Sequence, residues 1–126
     1  MREIKFRAWD IHRKQMLEVW KVTCGVFPKP AELYNRDFDD LFNKDDAILM
    51  QFTGLKDKNG KEIYEGDIIL SQKYPREIFF NEETCEWRLA TYGEKQYDKT
   101  YSLCPFARFG EIIGNIYENP EILKRR

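Results

Sequence analysis

The chain predicts a mainly β fold with one short helix, on three observations. Ile48, Met50 and Phe52 alternate with Leu49, Gln51 and Thr53, the two-residue period of a strand with one face buried more deeply. Asn59-Gly60 follows, wetted by neighbouring Lys and Asp residues, and is read as supplying the left-handed backbone positions of a tight hairpin turn. At the start of the chain, Ile4, Phe6 and Ala8 alternate with Glu3, Lys5, Arg7 and Trp9, which predicts a half-buried strand over 2–9 with Trp9 on its charged outer face.

The remaining elements follow in order. Asp10 and His12-Arg13-Lys14 read as a turn, and 16–22 as a second strand pairing back on the first. Phe27-Pro28-Lys29-Pro30 stops the sheet, because proline cannot donate to a ladder. Residues 31–44 read as a helix, with Tyr34, Phe38, Leu41 and Phe42 on one face and Pro30 at its first position. Past the central hairpin, Ile63-Tyr64 is the return strand. Gly66 then permits a sharp entry into 68–70, and the Asp67 side chain can bond the amides just ahead of it. Residues 77–80 and 84–91 predict a second hairpin across Asn81-Glu82-Glu83, with Cys85, Trp87 and Leu89 on one face. A loop over 92–110 leads to a last strand at 111–117, where Gly114 allows a bulge. Asn119-Pro120-Glu121 opens a short terminal helix, an N-cap residue followed by proline.

The stretch Leu49–Ile68 closely resembles the signature of the YopX family of phage and prophage proteins. The opening Met1-Arg2-Glu3-Ile4-Lys5-Phe6-Arg7-Ala8-Trp9-Asp10 and the later Ile113-Gly114-Asn115-Ile116-Tyr117-Glu118-Asn119-Pro120-Glu121 fit the same family in order. Residues 20–46 and 71–110 match none of its motifs. The resemblance implies a small, mostly β protein with an SH3-type β-roll, encoded by mobile elements, and it brings no reaction with it. On that reading 1–126 is one domain. Residues 1–47 hold the N-terminal hairpin and helix, and 48–126 hold the roll and the terminal helical turn.

Composition narrows the class. With 21 Lys+Arg against 22 Asp+Glu the net charge is −1, so no bulk attraction to nucleic acid or to a membrane surface is expected. Residues 1–30 hold seven basic and three acidic residues, net +4, and residues 31–69 hold five and ten, net −5, which suggests surfaces of opposite sign. Cys24, Cys85 and Cys104 are an odd count without a Cys-x-x-Cys pair and read as free structural thiols in a reducing cytoplasm. No stretch approaches the roughly 18 apolar residues of a membrane span, and no signal-peptide core opens the chain.

Catalytic chemistry finds little to work with. His12 is the one histidine, sits in a basic turn, and reads as a surface residue. Asp57-x-Asn59-Gly60 fails as a calcium loop, because the sixth and twelfth positions counted from Asp57 are Glu62 and Ile68 rather than Gly and Glu. Asp37, Asp39, Asp40, Asp45 and Asp46 read as a solvated or partner-facing acidic face. No glycine-rich phosphate loop is present. Neither a metal nor a cofactor is expected, and the structural turn residues are Asn59, Gly60, Gly66 and Asp67.

The aromatic content, 15 % of residues, exceeds what a core of this size comfortably uses. Arg7, Trp9 and Trp20 are therefore the candidate binding residues. The expected function is non-enzymatic: an accessory protein that binds another copy of itself or a host protein, with Trp9 or Trp20 between subunits of a homo-oligomer. Two alternatives are a counter-defence inhibitor that sequesters a small nucleotide, and a single-stranded nucleic-acid binder using stacked aromatics with interleaved cations.

Overall fold

The computed structural model describes residues 4–22, 31–33, 47–91, 94–96 and 99–123. Ten strands account for most of them: β1 Phe6–Asp10, β2 Gln15–Val22, β3 Ala31–Leu33, β4 Ala47–Lys56, β5 Glu62–Tyr64, β6 Asp67–Ser71, β7 Tyr74–Asn81, β8 Glu86–Ala90, β9 Tyr101–Ser102 and β10 Glu111–Asn115. The fold is mainly β. Its helical pieces include the 3-10 turns Ala107–Phe109 and Pro120–Leu123, and among the described residues no helix is long and apolar enough to cross a membrane. The chain divides into two compact units, Met1–Phe52 and Thr53–Arg126.

In the first unit β1 lies between β2 and β4, antiparallel to both, with Trp9 opposite Met16 on one side and Ile48 on the other. β1 is therefore a central strand, and the expected outer face of Trp9 is corrected with it. A central strand has neighbours on both sides, and Ala8, Trp9 and Asp10 are buried in succession. The β1–β2 turn follows from Asp10, whose Oδ1 accepts bonds from the His12 and Arg13 amides at 3.0 and 3.1 Å. His12 is exposed on that turn, as its sequence context predicts. The predicted helix over 31–44 begins instead as strand: Ala31, Glu32 and Leu33 pair with Val22, Lys21 and Val19 of β2, so ladder bonds replace the first helical turn. The rest of that prediction, and Cys24 with it, lies outside the described residues.

The second unit is built on the antiparallel order β10-β6-β7-β8-β9. Its core is Ile63, Ile69, Ile78, Leu89, Leu103, Ala107 and Ile112, with Leu55, Trp87 and Phe106 packed against it. Ile69, Ile78 and Leu89 are fully enclosed, so truncating any one to Ala removes on the order of 2–5 kcal/mol. β6 and β7 are joined by Gln72-Lys73, both with positive φ (54° and 73°), the geometry of a two-residue type I′ hairpin. The β7–β8 hairpin turns at Glu82–Cys85, and Cys85 has φ 54° and is exposed. The expectation that Cys85 packs beside Trp87 and Leu89 is thereby corrected, because β8 begins only at Glu86 and the residue before it completes the turn. Gly114 does carry a bulge, between Ile112 and Gly114. The terminal helix is a 3-10 turn, and Asn119 turns its Oδ1 back to the Asn115 amide at 3.3 Å.

Candidate functional site: an arginine between two tyrosines

The four turn residues read from the sequence hold local geometry. Gly60 has φ 80°, but Asn59 is not left-handed. The Gly60 amide bonds Asp57 O at 3.0 Å across Lys58-Asn59, so the tip is an ordinary turn closed by one left-handed glycine. Asp57 explains the difference. Its buried carboxylate accepts from the Asn59 and Lys61 amides, each at 2.9 Å, and so holds the turn without a left-handed Asn59. Gly66 (φ 85°) donates its amide to Ile78 O at 2.8 Å and accepts from the Ile116 amide at 2.9 Å. Asp67 accepts from the Tyr64 amide at 2.8 Å, the capping role its position predicts.

The candidate binding residues fall in the first unit. Arg7 and Trp9 stand two apart on β1. Arg7 is half-buried with Nη2 3.9 Å from Met50 Sδ, and Trp9 is only 8 % exposed. Trp9 is thus packed within its own chain and does not stand outward. Trp20 is on β2, and its side chain lies outside the described residues.

A different cluster has the geometry of a binding site, and the sequence did not single it out. Arg76 enters from β7, 9 % exposed, with its guanidinium carbon 5.7 Å from the Tyr74 ring centroid and 5.0 Å from that of Tyr101. Alternation puts Tyr74 and Arg76 on one face of β7. Pairing of β8 with both β7 and β9 brings Leu89 opposite Ile78 and Tyr101 opposite Leu89, so Tyr101 arrives on that same face. Tyr101 is held in turn by Phe106, edge-on at 6.0 Å. Each cation–ring contact contributes about 0.5–2 kcal/mol, more as water is excluded. Both tyrosines remain about half exposed, at 54 % and 49 %.

Arg76 is poorly satisfied for a buried cation. Nη1 donates to Ser71 O at 3.2 Å, and Nε is buried without a hydrogen-bond partner. Leaving a buried donor unmade costs about 1–3 kcal/mol, and more when the group is charged. Tyr74-Pro75-Arg76 is unremarkable as sequence, and Tyr101 reaches it only through an intervening strand, so no local pattern marks the cluster. Among the described residues no group of three His, Cys, Asp or Glu side chains is placed to hold a metal ion.

Three comparisons bear on identity. The sequence profile of the family described as YopX protein matches residues 5–124. The crystal structure of protein EF1440 from Enterococcus faecalis is similar, with a TM-score of 0.62 and 28 % sequence identity over 98 % of this chain and 100 % of that one. No curated protein matches the chain. With the profile spanning nearly its whole length, the chain belongs to the YopX family.

Proposed function

We propose that this chain works by binding a protein and catalyses no reaction, as an accessory protein of a phage or prophage acting in the host cytoplasm. The observation that carries the reading is Arg76 set between two half-exposed tyrosines at the rim of the sheet. Tyrosine and arginine are the residues most enriched where protein interfaces concentrate their energy, because they present large area with few rotors to freeze. Phe109, 70 % exposed, adds apolar area on the same unit. An SH3-type roll for this unit is supported by its antiparallel order β10-β6-β7-β8-β9 and by the 3-10 turn just ahead of β10. Exposed Cys85 and Cys104 suit a reducing compartment.

The partner is a second copy of the chain or a host protein. Light scattering on the purified protein at tens of micromolar should give a mass of at least twice 15.2 kDa, falling to the monomer in a Tyr74→Ala/Tyr101→Ala variant. A monomer that also retains no host protein, relative to that variant as bait, overturns the reading. A nucleotide ligand is the second reading, favoured by the same pairing of ring faces with a guanidinium. It would appear as excess absorbance near 260 nm in the purified protein, as would single-stranded nucleic acid.

A further inference from the structure

We infer that Arg76 receives a carboxylate carried by a polypeptide partner, either an acidic side chain or a chain terminus. The inference rests on the binding reading above and adds the chemistry of what is bound.

The second unit contains its own control. Arg88 on the neighbouring strand is as deeply buried as Arg76, at 7 % against 9 % exposed. Arg88 is fully provided for: Nη1 meets Glu86 Oε1 at 2.9 Å, Nε donates to Thr100 Oγ1 at 2.9 Å, and Nη2 donates to Thr100 O at 2.8 Å. Arg76 makes one bond, to a carbonyl, and forms no ion pair among the described residues. Buried charges in folded proteins are paired, and a buried donor without an acceptor calls for a specific explanation. The same sheet supplies a complete acceptor set to one guanidinium and withholds it from the other. No described residue supplies the missing acceptor of Arg76, which on this inference comes from a partner.

Three features select the acceptor. A guanidinium offers planar forked donors, which match an oxyanion with two coplanar oxygens. The cluster contributes a single positive charge, the complement of a carboxylate. Among the described residues no α-helix N-terminus or glycine-rich loop stands beside it to take up the second charge of a phosphate. The flanking groups are tyrosines, whose faces pack against apolar side chains and whose hydroxyls bond a peptide backbone. Access follows from their positions. Tyr74 is the first residue of β7 and Tyr101 belongs to a two-residue edge strand. Tyr74, the more exposed of the two, has among the described residues no ring contact such as Phe106 gives Tyr101, and its rotation is what would open the guanidinium.

The test uses the full chain labelled with nitrogen-15, following the Arg76 Nε–H signal and the Tyr74 and Tyr101 rings. The probe is the blocked peptide acetyl-Ala-Leu-Glu-Leu-Ala-amide, with its Gln counterpart, inorganic phosphate and adenosine monophosphate as comparisons. The Glu peptide should shift all three signals, the Gln peptide should bind about tenfold more weakly or worse, and Arg76→Met should abolish the difference between them. Light scattering separates the sources of the carboxylate. If the Glu peptide dissociates an oligomer, the source is a second copy; if it binds a monomer, the source is a different protein. Equal binding of the two peptides overturns the inference, as does adenosine monophosphate or phosphate saturating the site first, or an unmoved Nε–H signal. An oligomer whose mass is indifferent to Arg76→Met leaves the binding reading standing and removes the carboxylate from it. Arg76→Met is an informative variant because its melting curve reports folding independently of binding.

Discussion

Asp57 Oδ2 accepts a 2.9 Å hydrogen bond from the backbone N–H of Ile112, 55 positions further along the chain. The other oxygen of the same carboxylate holds the Asn59 and Lys61 amides. One buried side chain thus shapes the turn after β4 and anchors the first residues of β10, whose edge amide would otherwise lie open. Asp57→Asn keeps one acceptor but turns an NH₂ toward the other donors. It should lower stability by about 1–3 kcal/mol in urea unfolding; an unchanged midpoint would remove Asp57 from this role.

The same contacts fix a pH dependence. Burial alone raises the Asp57 pKa, but the Ile112, Lys61 and Asn59 amides and the Lys61 charge outweigh it, leaving the carboxyl below its ordinary 3.8. Between the folded and unfolded values the unfolded chain binds the extra proton. The contribution is therefore complete above the ordinary value and is lost as pH falls through the folded one. Unfolding midpoints followed down from neutral pH should hold until about pH 4 and then drop, and Asp57→Asn should flatten that acid limb. A variant limb parallel to wild type would assign the loss to other carboxylates.

Gly60 tests whether the tip needs a glycine for its backbone or for room. No atom lies within 4 Å of where its Cβ would be, so the demand is φ 80° alone. Gly60→Val should cost at least about 1 kcal/mol, while Gly60→Asn, which tolerates that region, should cost a fraction of it. Equal melting shifts for the two would show the constraint to be steric after all.

These cases mark how far the sequence reaches. Gly60, Gly66-Asp67 and the Gly114 bulge were legible because each is decided within a few residues by φ or by a short side chain bonding nearby amides, whereas the left-handed reading of Asn59 was overturned by Asp57. The outward placement of Trp9 failed because alternation gives a face and cannot say what packs over it; Trp9 is buried, on a strand that β4 joins from nearly forty positions away. The Arg76 cluster was invisible for the same reason, since Tyr101 joins it across β8. Strand over 31–33 displaced the predicted helix start because β2 offered a ladder, a tertiary term that propensity does not contain.

The Gln72-Lys73 turn was also missed, because neither residue is a usual type I′ choice, and both pay for positive φ. Relief should be measurable. Lys73→Gly should raise stability by up to about 1 kcal/mol, since a left-handed residue with a side chain carries roughly that strain. A destabilised Lys73→Gly would mean that the Lys73 side chain earns its place by contacts outweighing the strain.

The two buried arginines should respond to one substitution in opposite directions. Methionine approximates the length and volume of arginine without its charge. At position 88 it strands Glu86 and the Thr100 hydroxyl and carbonyl, all now bonded to the guanidinium, so Arg88→Met should cost about 3 kcal/mol or more. At position 76 it strands only Ser71 O and removes a buried charge with no counter-ion among the described residues. Arg76→Met should therefore be neutral or stabilising, even after losing its contacts with Tyr74 and Tyr101. Urea unfolding of both variants beside wild type decides it. Comparable losses at the two positions would mean that Arg76 is as well satisfied in solution as Arg88, by water reaching Nε. A gain at 76 beside a loss at 88 would identify a residue kept at the expense of stability, as expected where the acceptor belongs to a partner.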